Sequence, residues 1–134
     1  MANEAIIVEL LGNGGDPVRY TCADGVAIPK GSVMELTTPR TAKVGSAVDT
    51  PIVGIAAEEK VASDGQTNIS VYTNGIFQLK CATTQCEIGD QVSLAAADNT
   101  VALMTTLDLE KGWTVGYALE QIAIGGTGMV RVLK

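Results

Sequence analysis

The sequence predicts an all-β protein, a compact barrel or sandwich with a flexible N-terminal arm, and three observations carry that prediction. Short apolar-alternating runs bounded by Gly, Pro, Asp or Asn recur along the chain, as half-buried antiparallel strands require. Helical periodicity is nearly absent. Three glycines in Gly12-Asn13-Gly14-Gly15-Asp16-Pro17 cut the apolar N-terminal run off from the rest.

The first element is that N-terminal run. Ala5, Ile6, Ile7, Val8, Glu9, Leu10 and Leu11 suit a strand, with β-branching at Ile6, Ile7 and Val8. Fully extended, the six-residue connector spans up to roughly 20 Å, far enough to reach a neighbouring subunit. Residues 1–17 are therefore read as arm and connector, and 18–134 as a single β domain. The arm is expected to be loosely attached in the free protein; the alternative is that it folds back as an edge strand of its own domain.

Strands are expected next over 18–23, 32–37, 52–57 and 68–73, then over 76–81, 91–95, 100–104, 114–119 and 129–133. Their lengths match the usual 5 to 6 residues or so. Asn74-Gly75 is the best hairpin signal, because a two-residue turn needs positive φ at both positions; Asp24-Gly25 and Asp64-Gly65 are weaker. One helical turn is expected over 105–111, with Thr105 and Asp108 at capping-box-like spacing and Gly112 as the stop.

A weak internal repeat runs through these elements. Val53-Gly54-Ile55-Ala56-Ala57-Glu58 resembles Val115-Gly116-Tyr117-Ala118-Leu119-Glu120, and the strands that follow end Ile69-Ser70-Val71 and Val130-Arg131-Val132. Upstream, Gly31-Ser32-Val33-Met34-Glu35-Leu36 parallels Gly89-Asp90-Gln91-Val92-Ser93-Leu94. Two β units of one pseudo-symmetric barrel would give this; so would a coincidence of Gly-turn-strand units, and the sequence leaves both open.

Composition narrows the partners. Charged residues make up 18% of the 134, against an average of about 25%, which points to surface buried against other subunits or to a monomer covered by Thr, Ser, Asn and Gly. With 15 acidic against 9 basic residues and a net charge of −6, no Lys/Arg stripe is present to neutralise phosphates, so nucleic acid is not expected as a partner. The run through Leu11 is broken by Glu9 and too short for a bilayer, and Met1-Ala2-Asn3-Glu4 lacks the basic start of a signal peptide. Synthesis in the cytoplasm with no membrane segment is expected.

The chemistry-bearing inventory is thin. There is no histidine, which removes the Ser-His and Cys-His pairs and the commonest metal ligand. Glu58, Glu59, Asp64, Asp90, Asp108 and Glu120 show no pairing by spacing. Cys22, Cys81 and Cys86 are expected to be free, buried thiols without metal. Gly12-Asn13-Gly14-Gly15 and Gly125-Gly126-Thr127-Gly128 lack the context of a phosphate loop. Trp113 is either an interface anchor or core filling. Neither catalytic residues nor a cofactor are expected.

Several segments together resemble a known family. These are the N-terminal strand, Ala23-Asp24-Gly25-Val26-Ala27-Ile28-Pro29-Lys30-Gly31-Ser32-Val33-Met34-Glu35-Leu36, Val53-Gly54-Ile55-Ala56 and Gly75-Ile76-Phe77-Gln78-Leu79. Glu87-Ile88-Gly89-Asp90-Gln91-Val92-Ser93-Leu94 and Val115-Gly116-Tyr117-Ala118-Leu119-Glu120 complete the pattern. The chain is similar to the head decoration, or capsid cement, proteins of tailed bacteriophages. That resemblance implies a β-tulip or barrel-like fold and a homotrimer on the outer surface of the virion's capsid. It also implies stabilisation against internal DNA pressure, binding to the major capsid protein without catalysis, and a capsid-binding arm at Ala5 through Leu11. The alternative, from the resemblance of Ile28-Pro29-Lys30-Gly31-Ser32-Val33 to β-clip modules, is a carbohydrate-binding or accessory module.

Overall fold

The computed structural model describes residues 3–10, 17–45, 49–82, 84–95, 99–104 and 106–134. Among these described residues eleven strands and one six-residue helix are formed: β1 (Ile6–Leu10), β2 (Val18–Thr21), β3 (Val33–Thr38), β4 (Thr41–Val44), β5 (Ile52–Ala56), β6 (Asn68–Tyr72), β7 (Asn74–Cys81), β8 (Gln91–Leu94), β9 (Thr100–Leu103), α1 (Thr106–Lys111), β10 (Gly116–Ala118) and β11 (Thr127–Leu133). The all-β class read from the alternating runs is the class of the fold. The helix ends where Gly112 takes φ +71°; Thr105, its expected cap, lies outside the described residues, as do Leu11 and connector residues 12–16.

The strands form two five-membered closures. β2-β4-β3-β5-β6 make a closed barrel, while β7-β11-β10-β8-β9 close through a parallel β7–β9 pairing, and β1 is added outside on β7. The two follow one plan, β2 corresponding to β7, β3 to β8, β4 to β9, β5 to β10 and β6 to β11. Each has one parallel closure, Thr21 opposite Thr41 in the first and Lys80 opposite Thr100 in the second. The turn bonds repeat as well: Gly31 N donates to Ala56 O at 2.9 Å and Gly89 N to Ala118 O at 2.8 Å. So do the isolated bridges, Ile28 with Lys60 and Cys86 with Ile122. The internal repeat is thus a structural duplication. Its last segment needs a shift in register, because Val71 pairs with Ala56 and Val130 with Ala118. Val71 therefore corresponds to Val130 and not to Val132.

The Val-Gly dipeptide common to both copies has a steric cause. A Cβ on Gly54 would meet Tyr72 O at 2.1 Å, and one on Gly116 would meet Arg131 O at 1.7 Å. Tyr72 and Arg131 are corresponding residues of β6 and β11, so both barrels close at the same backbone contact, where only glycine fits.

β5 is buried along its whole length, which explains its unbroken apolar sequence. Val53 and Ala56 face the interior of the first barrel with Met34, Ile69 and Val71. Ile52 and Ile55, with Val33 of β3, join Phe77, Leu79, Val92, Val101, Val130 and Val132 in the core of the second. The barrels therefore share apolar packing, and Val33 N donates to Asn99 Oδ1 at 2.9 Å across the junction.

Two expectations are corrected. Asn74-Gly75 is no hairpin turn: β6 ends at Tyr72, β7 begins at Asn74, and the two belong to different barrels. Glycine is needed there because a Cβ on Gly75 would meet Glu9 O at 2.7 Å. β4, which was not expected, is a short strand whose outward Lys43 breaks the apolar signal; only its correspondence to β9 makes it legible.

One side chain breaks the duplication. Lys60 occupies the position of Ile122 and is fully buried. Its Nζ lies 3.1 Å from Asp64 Oδ1 and 3.7 Å from Asp24 Oδ1, and donates to Asp24 O at 2.5 Å and Val61 O at 3.1 Å. Asp24 Oδ1 also accepts from Gly65 N at 2.7 Å, so the loops around Asp24 and Asp64 are tied together.

Gly116→Ala is expected to lower stability by about 3 kcal/mol or more, the overpacked end of such changes. Gly25→Ala, with open space around it, should stay within about 1 kcal/mol; urea denaturation of both variants checks the pair. The Asp64 carboxyl is held below its ordinary value, first by the Gln66 amide and then by Lys60. A depressed folded value means that its contribution is present above the unfolded value and is lost as pH falls through the folded one. Thermal midpoints followed from pH 6 downward should fall in acid, and less steeply in Asp64→Asn.

Candidate functional site

The N-terminal strand is the sequence-predicted site, and the structure places it at the edge of the second barrel. β1 pairs antiparallel with β7, Ile6 opposite Gln78, Ile7 opposite Phe77 and Leu10 opposite Gly75, with a bulge between Ile7 and Glu9. The segment thus lies folded back on its own chain. β7 has room for it because β11 takes one side while β9 covers only Lys80 and Cys81 on the other. At its start Ala5 N donates to Gly31 O at 2.6 Å. Gly31, at φ +91°, has no space for a Cβ, which would meet Ala5 O at 2.6 Å. Gly31 of the first barrel and Gly75 of the second together form the seat of the strand.

The side chains divide unevenly. Ala5 and Leu10 pack against the larger core, while Ile6 is 59% exposed, Val8 45% and Ile7 37%. Glu9 is exposed as well. Three neighbouring β-branched residues thus face solvent on a strand that is hydrogen-bonded on one side only among the described residues. An edge of this kind is a template for another strand. The sequence identified the strand; it did not show the glycine seat, whose two members are 44 positions apart.

The remaining candidates sit in structural roles. Glu58 accepts from the Gln66 amide, Asp90 Oδ2 accepts from Glu87 N at 2.9 Å, and Glu120 Oε2 accepts from Met129 N at 3.1 Å. Glu59 is exposed. Trp113 is half-buried and belongs to neither core, with Lys111 Nζ 5.9 Å from its ring centroid.

Cys22, Cys81 and Cys86 are free and buried. Cys22 and Cys81 are corresponding residues of the two barrels, and Cys81 Sγ lies 3.4 Å from Cys86 Sγ. Burial, then the Cys81 thiol, pushes Cys86 up to about 12, so at neutral pH it is a protonated apolar group and a poor ligand. Among the described residues no three His, Cys, Asp or Glu side chains are grouped to hold a metal, and no helix is long and apolar enough to cross a membrane.

All three thiols should resist an aromatic disulfide reagent at pH 8 in the native protein and react when it is unfolded in urea. Fast native labelling of Cys86 would contradict its burial.

A family model described as phage cement protein matches residues 13–133. No curated protein matches the chain.

Proposed function

We propose that this chain, which belongs to the phage cement protein family, decorates the outer surface of a phage head as a homotrimer and stabilises the shell against internal DNA pressure. Membership of the family carries capsid binding and a place in the virion. The reading beyond that is that the segment Ala5 through Leu11 binds the major capsid protein, after synthesis in the host cytoplasm. The protein acts by binding alone, without catalysis or cofactor. The observation that carries the reading is β1, an edge strand with Ile6, Ile7 and Val8 exposed.

A strand of the capsid protein added to the outer edge of β1 would satisfy its backbone groups and set the register through alternate side chains. Burial of three such side chains contributes on the order of 5 to 9 kcal/mol gross, from which the loss of translational and side-chain freedom is subtracted. Three copies on one trimer act together through effective concentration, so each contact is individually modest while the whole is tight. The low charge fraction of 18% supports subunit contacts. The family match favours this reading over the carbohydrate-binding alternative.

Ile6→Asp combined with Val8→Asp tests it, because both side chains are outside the cores and a stability change within about 1 kcal/mol is expected. The double variant should remain folded and trimeric by light scattering, yet fail to cosediment with expanded phage heads that lack the protein. Unchanged decoration of the heads would overturn the role of the strand.

A further inference from the structure

The duplication supplies an internal control for a second docking place. In the second barrel the outer edge of β9 is covered by the chain itself: Ala82 N donates to Val101 O at 2.9 Å, and Leu103 N donates to Thr84 Oγ1 at 3.2 Å. The corresponding groups in the first barrel are Ala42 O and Val44 N. Gly45 N donates to Val33 O at 2.7 Å, so Lys43 and Gly45 turn their backbone groups toward β3, and Ala42 and Val44 turn theirs away. β2 reaches only as far as Thr41. Among the described residues nothing then bonds Ala42 O or Val44 N beyond that point.

The cause is local. Five residues separate Cys22 from Ile28, against four between Cys81 and Cys86, and the longer loop is drawn away from β4 by Lys60. Asp24 O accepts from Lys60 Nζ and from Ser63 N at 2.7 Å. Ile122, in the corresponding place, offers no such tie. What opens between the loop and the strand is an apolar cleft of about 310 Å³, lined by Val26, Ile28, Ala42 and Val44 among others. Next to Thr41 in the chain is the exposed Arg40, whose Nε donates to the backbone O of the exposed Arg19 at 3.2 Å. No carboxylate of the described residues pairs with either guanidinium.

We propose that this cleft takes an extended, acidic segment of the capsid protein as an added strand. Its backbone would bond Ala42 O and Val44 N, a small or β-branched side chain would fill the cleft, and a carboxylate would face Arg19 and Arg40. The proposal rests on the cement reading and deepens it: with a docking edge on each barrel, β1 on the second and β4 on the first, one chain could hold two capsid segments at once. Self-pairing of two β4 edges is opposed by the cations that each would bring.

Hydrogen exchange of the full chain, free and bound to expanded emptied heads lacking it, tests the assignment. The Val44 amide, which the added strand would bond, should exchange about tenfold more slowly on heads. Val26→Arg places a charge in the cleft from a half-exposed position and should weaken head binding about tenfold or more without changing the oligomer. Val61→Arg, an equal charge change on another exposed residue, should leave binding unaltered. Protection of β1 on heads without protection of the Val44 amide would overturn the cleft assignment and leave the β1 reading standing. Protection of the Val44 amide already in the head-free oligomer would make the occupant a second copy and overturn the capsid partner. Failure of the unaltered protein to bind heads would sink the parent reading and this one with it.

Discussion

Everything in this molecule depends on β5 being buried on both faces. Val53 and Ala56 look into one barrel, Ile52 and Ile55 into the core of the other. At about 25 cal/mol per Å² of apolar surface removed from water, a strand used twice stabilises two closures with one set of side chains. Gly54 serves the closure of the first barrel, where a Cβ would meet Tyr72 O. A lone barrel of about 60 residues would bury its surface poorly, and sharing β3 and β5 between two small barrels relieves that shortage.

The two copies have kept their backbone and parted in their chemistry. Ile122 is an apolar plug, whereas Lys60 in the corresponding position is a buried cation that needs Asp24, Asp64 and two carbonyls to be tolerated. A buried ammonium without such partners costs several kcal/mol or so, so the loops around it are held in one arrangement. That arrangement differs from the second barrel's: Thr84 bonds the edge of β9, while Asp24 turns away toward Ser63 and Gly65. The two loops, different in length and one of them tied to a buried cation, leave different strand edges covered.

On the proposed reading, function in such a protein is a matter of edges more than of side-chain chemistry. The thiols are buried and Asp90 and Glu120 hold backbone amides, whereas β1 presents backbone groups and β-branched side chains together. β1 is seated by glycines from both barrels, so its position reports on their packing.

By itself the sequence determined the all-β class, the positions of ten of the strands to within a few residues, the N-terminal strand and the repeat, because each depends on local alternation and on the turn residues that bound it. It also carried the resemblance to the family, through motifs that are mostly the strand-and-glycine units of the two barrels. Only the tertiary structure decided that the repeat is two closed barrels, that Asn74-Gly75 crosses between them, and that β1 folds back onto β7. Nor did the sequence mark Lys60 as buried: its neighbourhood of Glu58, Glu59 and Asp64 reads as a solvated turn, and the partners that make burial tolerable lie on two loops. The physical reason is common to all of these. Alternation and turn chemistry are properties of a few adjacent residues, whereas which strand closes a barrel, which edge stays open and which charge can be buried depend on groups that come together only when distant segments pack.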